Sequence, residues 1–261
     1  MKINLKDKKA LIGGSSKGLG YAVAKQLAVC GAMVTLVSRN EPLLKKNMIE
    51  LKKLTGFDHN YIVVDYNDSD GYKKIITEFF KTNSVDILIN NTQGPNAGDV
   101  LSVSESDYKN AFNLLFQNTV NTSMAAIKGM KKNNWGRIIN MTSVSVKEPL
   151  AYLALSNTIR SAVTSWGKTL SMESGQFNIT VNNILTGFFN TERLNQLNSE
   201  KAKKFNVSTH EVFDKMSEMV PLKRIGEPEE FGYLIAFLAS DYADYINGAN
   251  IPIDGGLLKS M

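Results

Sequence analysis

The sequence of 261 residues contains one cysteine, two histidines and six prolines. Cys30 has no second cysteine with which to form an internal disulfide, and it lies in an apolar helical pattern, so we expect it to be buried rather than reactive. His59 and His210 have no partner residues at the spacing of metal ligands, so the sequence predicts no metal site. We expect both histidines at the surface.

Long hydrophobic runs are also missing. No apolar run approaches the roughly 18 residues that cross a bilayer, and glycines soon interrupt the short apolar stretch after the lysine-rich start. We therefore expect a soluble, cytoplasmic protein that has no membrane partner.

The net charge of +5 is not concentrated in one patch. The lysines fall in separated pairs, mostly on the polar faces of helix-like segments, which is typical of solvated helix surface. We therefore expect no nucleic-acid partner.

Strand-like and helix-like segments alternate from the start, which predicts a parallel sheet with crossover helices. The expected strands are residues 8–14, 32–38, 60–65, 85–91, 136–143, 178–185 and 249–254. The expected helices are residues 19–31, 41–54, 68–82, 105–132, 150–174 and 228–240. The predicted fold class is a three-layer α/β/α, Rossmann-like, doubly wound parallel sheet, and we expect residues 1–261 to form one domain.

Residues 188–220 stand outside this alternation, and we call them the lid segment. They are polar and helical in character and follow the carboxyl end of a strand, where open parallel sheets bind ligands. Their apolar residues would either close over an apolar substrate or form a small core of the segment itself. These residues are Phe188, Phe189, Leu194, Leu197, Phe205 and Phe213.

A glycine-rich stretch joins the first strand to the first helix. Its candidate cofactor-binding residues are Gly14, Ser16, Lys17, Gly18, Leu19 and Gly20. Glycines allow a phosphate to approach the backbone, and the helix N-terminus attracts its negative charge. The stretch therefore predicts a dinucleotide site.

The end of the second strand carries Ser38 and Arg39 rather than an acidic residue. An acidic residue there would bind a ribose 2′-hydroxyl, whereas Arg39 can bind a 2′-phosphate and Lys17 can add a second positive charge. NADP(H) is therefore favoured, with NAD(H) possible. The alternative for Arg39 is a solvated loop residue.

Together these motifs resemble the short-chain dehydrogenase/reductase family, of about 250 residues, including its 3-oxoacyl-ACP reductases. Besides the glycine loop, the matching residues are Asp65, Asn90, Asn91, Ser143, Gly187, Thr191, Asp254, Gly255 and Gly256. The resemblance implies that Asp65 contacts adenine and that Thr191 lies beside the nicotinamide. It also assigns Tyr66, Asn91, Thr92 and Gly187 to the cofactor site.

The catalytic pattern of that family is incomplete here. Ser143 matches the catalytic serine, but counting from it places Ser156 and Arg160 where the family has tyrosine and lysine, and Leu115 where it has asparagine. Arg160 can still bind the nicotinamide ribose and stabilise an oxyanion, but it cannot donate a proton at neutral pH.

The proton would then come from another residue. Tyr152, which shares a helical face with Ser156 if the helix reaches back that far, is one candidate, and Lys147 and Glu148 are others. The alternative for Tyr152 is a half-buried packing residue.

Three functions follow from this pattern. The first is an NADP(H)-dependent oxidoreductase acting on a small carbonyl or alcohol substrate, with Ser156 and Arg160 in place of tyrosine and lysine. The second is an NADP(H)-binding protein without turnover, as a sensor or an assembly partner, and the third is a non-redox enzyme on the same fold. By analogy with the family, we expect a homodimer or a homotetramer.

Overall fold

The computed structural model describes residues 2–260, and the backbone alone at residue 204. Within this range seven parallel strands form one sheet, in the order β3-β2-β1-β4-β5-β6-β7. The strands are β1 Lys9–Gly13, β2 Met33–Ser38, β3 Asn60–Val63, β4 Ile87–Asn90, β5 Gly136–Met141, β6 Ile179–Thr186 and β7 Asn250–Ile253. Helices cover both faces, so the predicted α/β/α fold class is confirmed.

The helices in the described part of the chain follow the predicted alternation. They are α1 Gly18–Val29, α2 Glu41–Thr55, α3 Ser69–Thr82, α4 Glu105–Ala111, α5 Asn118–Asn133, α6 Ala154–Ser174, α7 Glu192–Phe205, α8 Thr209–Met219 and α9 Pro228–Leu238. Two predicted helices differ in detail. The stretch 105–132 is divided by a π-helix over Phe112–Gln117, and α6 begins at Ala154 rather than at residue 150.

Strands β1 to β6 serve both cores, because successive side chains point to opposite faces. In β1, Ala10 and Ile12 join the core that packs against α1, α2 and α9, whereas Leu11 joins the core under α3, α5 and α6. These strands are apolar on both faces, as parallel strands covered by helices must be.

The chain reverses its winding direction between β1 and β4. From β1 the sheet grows through β2 to β3 on one side and through β4 to β7 on the other. Connections leave the carboxyl ends of β1 and β4 in opposite directions and open a crevice between them, where open α/β sheets bind ligands.

Four asparagines cross the sheet as a hydrogen-bonded row, which we call the amide ladder. Asn90, Asn140, Asn183 and Asn250 are register partners on β4, β5, β6 and β7. The Nδ2 atom of each donates to the Oδ1 atom of the next, at 2.8, 2.9 and 2.8 Å. Because Asn140 and Asn183 are buried, a shifted register would leave their amides unpaired.

The expectation that His59 lies at the surface is wrong. Its ring is buried at the start of β3, where Nδ1 accepts a hydrogen bond from the Val34 backbone N–H at 3.2 Å. Nε2 lies 3.0 Å from the Thr55 hydroxyl. Burial lowers the pKa of His59, so the neutral ring serves as a structural acceptor. His210 is exposed, as expected.

Cys30 is partly rather than fully buried at the end of α1. Burial raises the pKa of its thiol, which disfavours the reactive thiolate.

Among the helices of residues 2–260, none combines the length and apolar character that a membrane crossing needs.

We predict that Asn183→Ala lowers the free energy of unfolding by about 2–4 kcal/mol, because the substitution leaves a cavity and unpaired amides on both neighbouring strands. Asn250→Ala, at the exposed end of the ladder, is the matched control and should cost less than about 1 kcal/mol. Urea denaturation followed by circular dichroism measures both. Equal losses in the two variants would contradict a structural role for the buried ladder.

Candidate active site

The loop between β1 and α1 depends on its glycines. Gly14 and Gly18 have φ angles of +53° and +57°, in the left-handed region that favours glycine. A Cβ atom at Gly20 would overlap the carbonyl oxygen of Gly14. Lys17 is the N-cap residue of α1, and none of the described side chains caps that helix. Its first amides are therefore available to an anion such as a phosphate.

Three residues from other segments hold this loop in place. The Nδ2 atom of Asn91, just after β4, donates to the Gly13 carbonyl at 3.0 Å. The Tyr66 hydroxyl accepts a hydrogen bond from the Gly14 N–H at 3.2 Å. Asn47 of α2 donates to the Ser16 carbonyl at 2.8 Å. The loop is thus preorganised by contacts with β4, α2 and the segment after β3.

The residues after β3 lie at two depths. The Asp65 carboxylate is exposed and accepts a hydrogen bond from the Asn67 N–H at 3.0 Å. Tyr66 is buried beneath the glycine loop, and burial raises the pKa of its phenol. The Asn118 amide of α5 donates to the Tyr66 carbonyl at 2.9 Å. Asp65 is therefore placed to meet a ligand, whereas Tyr66 supports the loop from below.

The end of β2 presents a free cation. Arg39 is exposed and has no ion-pair partner among the described residues, while Ser38 is buried and its Oγ accepts a hydrogen bond from the Asn40 N–H at 3.2 Å. Lys17 does have a partner, because its Nζ lies 2.5 Å from Glu192 Oε2. The two predicted phosphate-binding cations therefore differ in their availability.

Ser143, Ser156 and Arg160 occupy the end of β5 and the first turns of α6. Ser143 Oγ accepts a hydrogen bond from the Ser145 N–H at 3.1 Å. Arg160 Nη1 donates to the Met141 carbonyl at 2.7 Å, and its Nε donates to Ser156 Oγ at 3.1 Å. Because Ser156 Oγ accepts from Arg160, its own O–H remains available to donate elsewhere.

Arg160 carries a charge with no carboxylate beside it among the described residues. Burial lowers the pKa of its guanidinium to about 10, so the group stays protonated at neutral pH. A partly buried cation without a counter-ion is unfavourable, because it has lost part of its hydration. The site is therefore suited to stabilising negative charge on a bound molecule.

Tyr152 does not share a helical face with Ser156, because α6 begins at Ala154 and Tyr152 precedes it. The Tyr152 carbonyl accepts a hydrogen bond from the Gly98 N–H at 2.9 Å. The Nζ atom of Lys201, in the lid segment, lies 5.4 Å from its ring centroid. Burial raises the pKa of its phenol. Tyr152 thus lies between the loop after β4 and the lid segment.

The two other candidate proton donors differ in their surroundings. Glu148 Oε1 accepts hydrogen bonds from the backbone N–H groups of Lys259 and Ser260, both at 2.7 Å. These bonds hold the pKa of the Glu148 carboxyl below its usual value, so this group stays ionised at neutral pH and cannot donate a proton. Lys147 is exposed to solvent.

Leu115 lies within the π-helix between α4 and α5, and its side chain is buried. The Leu115 carbonyl accepts a hydrogen bond from the Thr119 hydroxyl at 2.7 Å. The position at which the family resemblance implies an asparagine therefore offers no polar side chain.

Gly187 and Thr191 connect β6 to the lid segment. The Gly187 N–H donates to the Ile253 carbonyl at 3.0 Å, and a Cβ there would meet the backbone of Asp254 at 2.6 Å. Thr191 is the N-cap residue of α7, where its hydroxyl accepts from the Leu194 N–H at 3.3 Å. Thr92, across the crevice, donates through its hydroxyl to the Gln93 carbonyl at 2.9 Å.

The lid segment contains a small core of its own. Its buried and partly buried members are Ala202, Val212, Met216, Phe188, Leu194, Val207 and Phe213, and Ile225, just after the segment, packs with them. Phe189 instead joins the main core, 5.4 Å from the Phe231 ring, and Phe205 is exposed. Most of the aromatic residues that we considered for a substrate surface are therefore used in packing.

The sequence reading missed the residues that act through long-range contacts. Asn118, which supports Tyr66, and Glu192, which pairs with Lys17, belong to no motif. An acidic residue in the first turn of a helix is expected for the helix dipole alone, so nothing in the sequence distinguished Glu192.

Known proteins match this chain over nearly its whole length. The sequence model described as enoyl-(acyl carrier protein) reductase matches residues 14–258. The chain is 30% identical over 256 residues to the NADPH-dependent reductase BacG of Bacillus subtilis (strain 168), covering 97% of this chain and 98% of that protein. It is 27% identical over 258 residues to the 3-oxoacyl-(acyl-carrier-protein) reductase FabG of Aquifex aeolicus (strain VF5), covering 98% and 100%.

Solved structures agree with this relationship. L-sorbose reductase from Gluconobacter frateurii, complexed with NADPH and L-sorbose, superimposes with a TM-score of 0.93. The alignment covers 100% of both chains at 28% sequence identity.

We predict that Gly20→Ala weakens the binding of a pyridine dinucleotide by about tenfold or more, because the added methyl group displaces the Gly14 carbonyl and distorts the loop. Alanine is the better helix former, so a loss of helix stability would not be the cause. Gly94→Ala is the control, since its nearest neighbour is the Arg193 guanidinium at 4.0 Å. Fluorescence titration with NADPH measures both, and unchanged affinity in Gly20→Ala would contradict the assigned loop.

Proposed function

Because the chain belongs to the short-chain dehydrogenase/reductase family, we propose that it is an NADP(H)-dependent oxidoreductase acting on a carbonyl or alcohol substrate. The observation that carries the proposal is the convergence of an open helix N-terminus, a free arginine after β2 and a partly buried guanidinium without a carboxylate partner at the carboxyl edge of one sheet. The first two features suit a phosphorylated dinucleotide, and the third suits a substrate oxygen that gains negative charge.

The residues of the crevice fit the cofactor in its expected orientation. The first turn of α1 would hold the pyrophosphate, Arg39 and Lys17 the 2′-phosphate, and Asp65 the adenine. Gly187, whose backbone packs closely against Asp254 just after β7, would adjoin the cofactor, and Thr191 and Arg160 would lie on the nicotinamide side. When bound, the cofactor supplies the hydride that the chain's own residues cannot provide.

The chain's residues then act on the substrate oxygen. The Arg160 guanidinium stabilises an oxyanion, and Ser156 donates its free O–H to the same oxygen. Ser143, after the end of β5, offers a second hydroxyl. Serine and arginine do not release protons readily near neutral pH, so the proton comes from another group, for which Tyr152 is our candidate.

The departure from the catalytic pattern of the family also favours a second function. Ser156 and Leu115 would remove the ordinary acid and the polar group for a proton-relay water, while the residues that we assign to the cofactor remain. Such a protein would bind NADP(H) without turnover, as a sensor or an assembly partner. A non-redox enzyme that uses the Arg160 cation on the same fold is the third function.

An assay of NADPH oxidation by the purified protein with a panel of ketones and aldehydes tests these functions. Oxidation of NADPH in the presence of any member of the panel would decide for the first function.

We predict that Arg39→Ala raises the Kd for NADPH by about tenfold or more and leaves the Kd for NADH unchanged, because the lost bonds are charge-assisted and reach only the 2′-phosphate. Lys53→Ala, an exposed lysine in the last turn of α2, controls for the change in net charge. Isothermal titration calorimetry measures both cofactors. An equal effect on NADH would show that Arg39 does not read the 2′-phosphate.

We predict that Arg160→Met lowers kcat by about 100-fold, since the oxyanion loses its main cation. Arg160→Lys, which keeps the charge but loses the fixed donors, should retain part of the rate. Steady-state kinetics with a substrate found in the panel provide the measurement, and circular dichroism checks that each variant is folded. A full rate in Arg160→Met would remove Arg160 from the mechanism, and a full rate in Tyr152→Phe would remove Tyr152.

A further inference from the structure

The start of helix α7 lies directly on the glycine loop. Lys17 Nζ is 2.5 Å from Glu192 Oε2, which joins residues that are 175 positions apart in the sequence. The methyl group of Thr191 comes within 3.6 Å of the position that a Cβ atom would take at Gly18. The first turn of the lid segment is therefore in contact with the loop that would hold the phosphates.

A second contact ties the same helical turn to the other side of the crevice. Arg193 Nη2 donates to the Pro95 carbonyl at 3.2 Å, in the loop that follows β4. Glu192 and Arg193 thus bind the loops after β1 and β4, which border the crevice. Neighbouring residues of one helix link its two walls, so the lid segment bridges the crevice at this point.

Lys17 therefore has two candidate partners. It is one of the two cations that we assign to the 2′-phosphate, and its ammonium is already paired with the Glu192 carboxylate. A phosphate at this ammonium would meet a carboxylate of like charge nearby, which is unfavourable. Binding of the 2′-phosphate to Lys17 and pairing of Glu192 with Lys17 therefore oppose each other.

We propose that Glu192 is a specificity-determining residue that acts as a phosphate-sensitive latch. This inference rests on the proposed NADP(H) site. The 2′-phosphate replaces Glu192 as the ion-pair partner of Lys17 and so releases the first turn of α7 from the glycine loop. NAD(H), which has no such phosphate, leaves the Lys17–Glu192 pair in place, and the latch stays closed. The crevice then opens to substrate in response to the phosphorylated cofactor.

The exposure of the latch sets the size of the effect. The Lys17 and Glu192 side chains are 55% and 59% exposed, so solvent screens their interaction. An ion pair of this kind changes an equilibrium by at most about fivefold. The latch therefore modulates cofactor choice and lid mobility, while Arg39 remains the larger determinant of phosphate recognition.

The test is Glu192→Gln, which keeps the shape of the side chain and removes its charge. We expect the Kd for NADPH to fall by about two- to fivefold and the Kd for NADH to stay unchanged, both measured by calorimetry. Glu200→Gln, on the same helix, is the matched control and should change neither value. Tighter binding of both cofactors by the same factor, or weaker binding of NADPH, would overturn the proposal.

Hydrogen exchange supplies a readout that is independent of affinity and of turnover. In the unsubstituted protein, saturating NADPH should speed exchange of the amides at residues 192–196 relative to saturating NADH. In Glu192→Gln this difference should disappear, because the latch is already open. Equal exchange with both cofactors in the unsubstituted protein would contradict the latch.

A double substitution identifies Lys17 as the partner. In a Lys17→Met background, Glu192→Gln should no longer change the Kd for NADPH, whereas independent effects of the two substitutions would add.

Failure of the latch is distinguishable from failure of the proposed function. If the unsubstituted protein binds neither cofactor, the NADP(H) site itself is wrong, but if it binds NADPH with an affinity that Glu192→Gln does not change, only the latch is wrong.

Discussion

The amide ladder across β4, β5, β6 and β7 is the constraint on which the candidate site depends. Each side chain of the ladder has its best partner on the next strand in one register only, and a shift by one residue would turn it toward the opposite face. Site residues follow the ladder closely along the chain. Asn91 adjoins Asn90, Ser143 comes three residues after Asn140, and Gly187 comes four residues after Asn183. The register that satisfies the buried amides therefore also brings these residues to one edge of the sheet.

Helix α6 packs against the same ladder and carries the partly buried cation of Arg160. The Asn183 amide donates to the Thr164 carbonyl at 3.3 Å, and a Cβ at Gly167 would overlap the ladder amides, so the helix packs closely on the sheet. Four residues before Thr164, Arg160 is fixed by the Met141 carbonyl and by Ser156. A rigid guanidinium without a carboxylate partner can stabilise new charge with little reorganisation, which is what an oxyanion site requires. In the function that we propose, serine in place of tyrosine would remove a proton donor, and Arg160 would supply the electrostatic stabilisation.

The sequence predicted the features that are encoded locally. Apolar alternation with turn residues located the strands, and the glycine-rich stretch between β1 and α1 located the turn that joins them, whose phosphate-binding role stays a prediction. It could not predict features created by contacts between distant segments. His59 is polar and isolated in the sequence, but it is buried because it accepts a hydrogen bond from Val34 of the neighbouring strand. Similarly, Tyr66 supports Gly14 through a contact over 52 positions, and no motif marks that role.

The packing of the lid segment is compatible with the motion that the proposed latch requires. Its own small core, formed by residues such as Val212 and Met216, lets α7 and α8 hold together when they shift relative to the sheet. The polar contacts of Glu192 and Arg193 with the crevice walls are exposed and few, so they can break without unfolding the segment. Phe189, in contrast, is anchored in the main core beside Phe231. Motion is therefore expected to pivot near Phe189, and this places the largest displacement at α7 and α8 rather than at Gly187 or the end of β6.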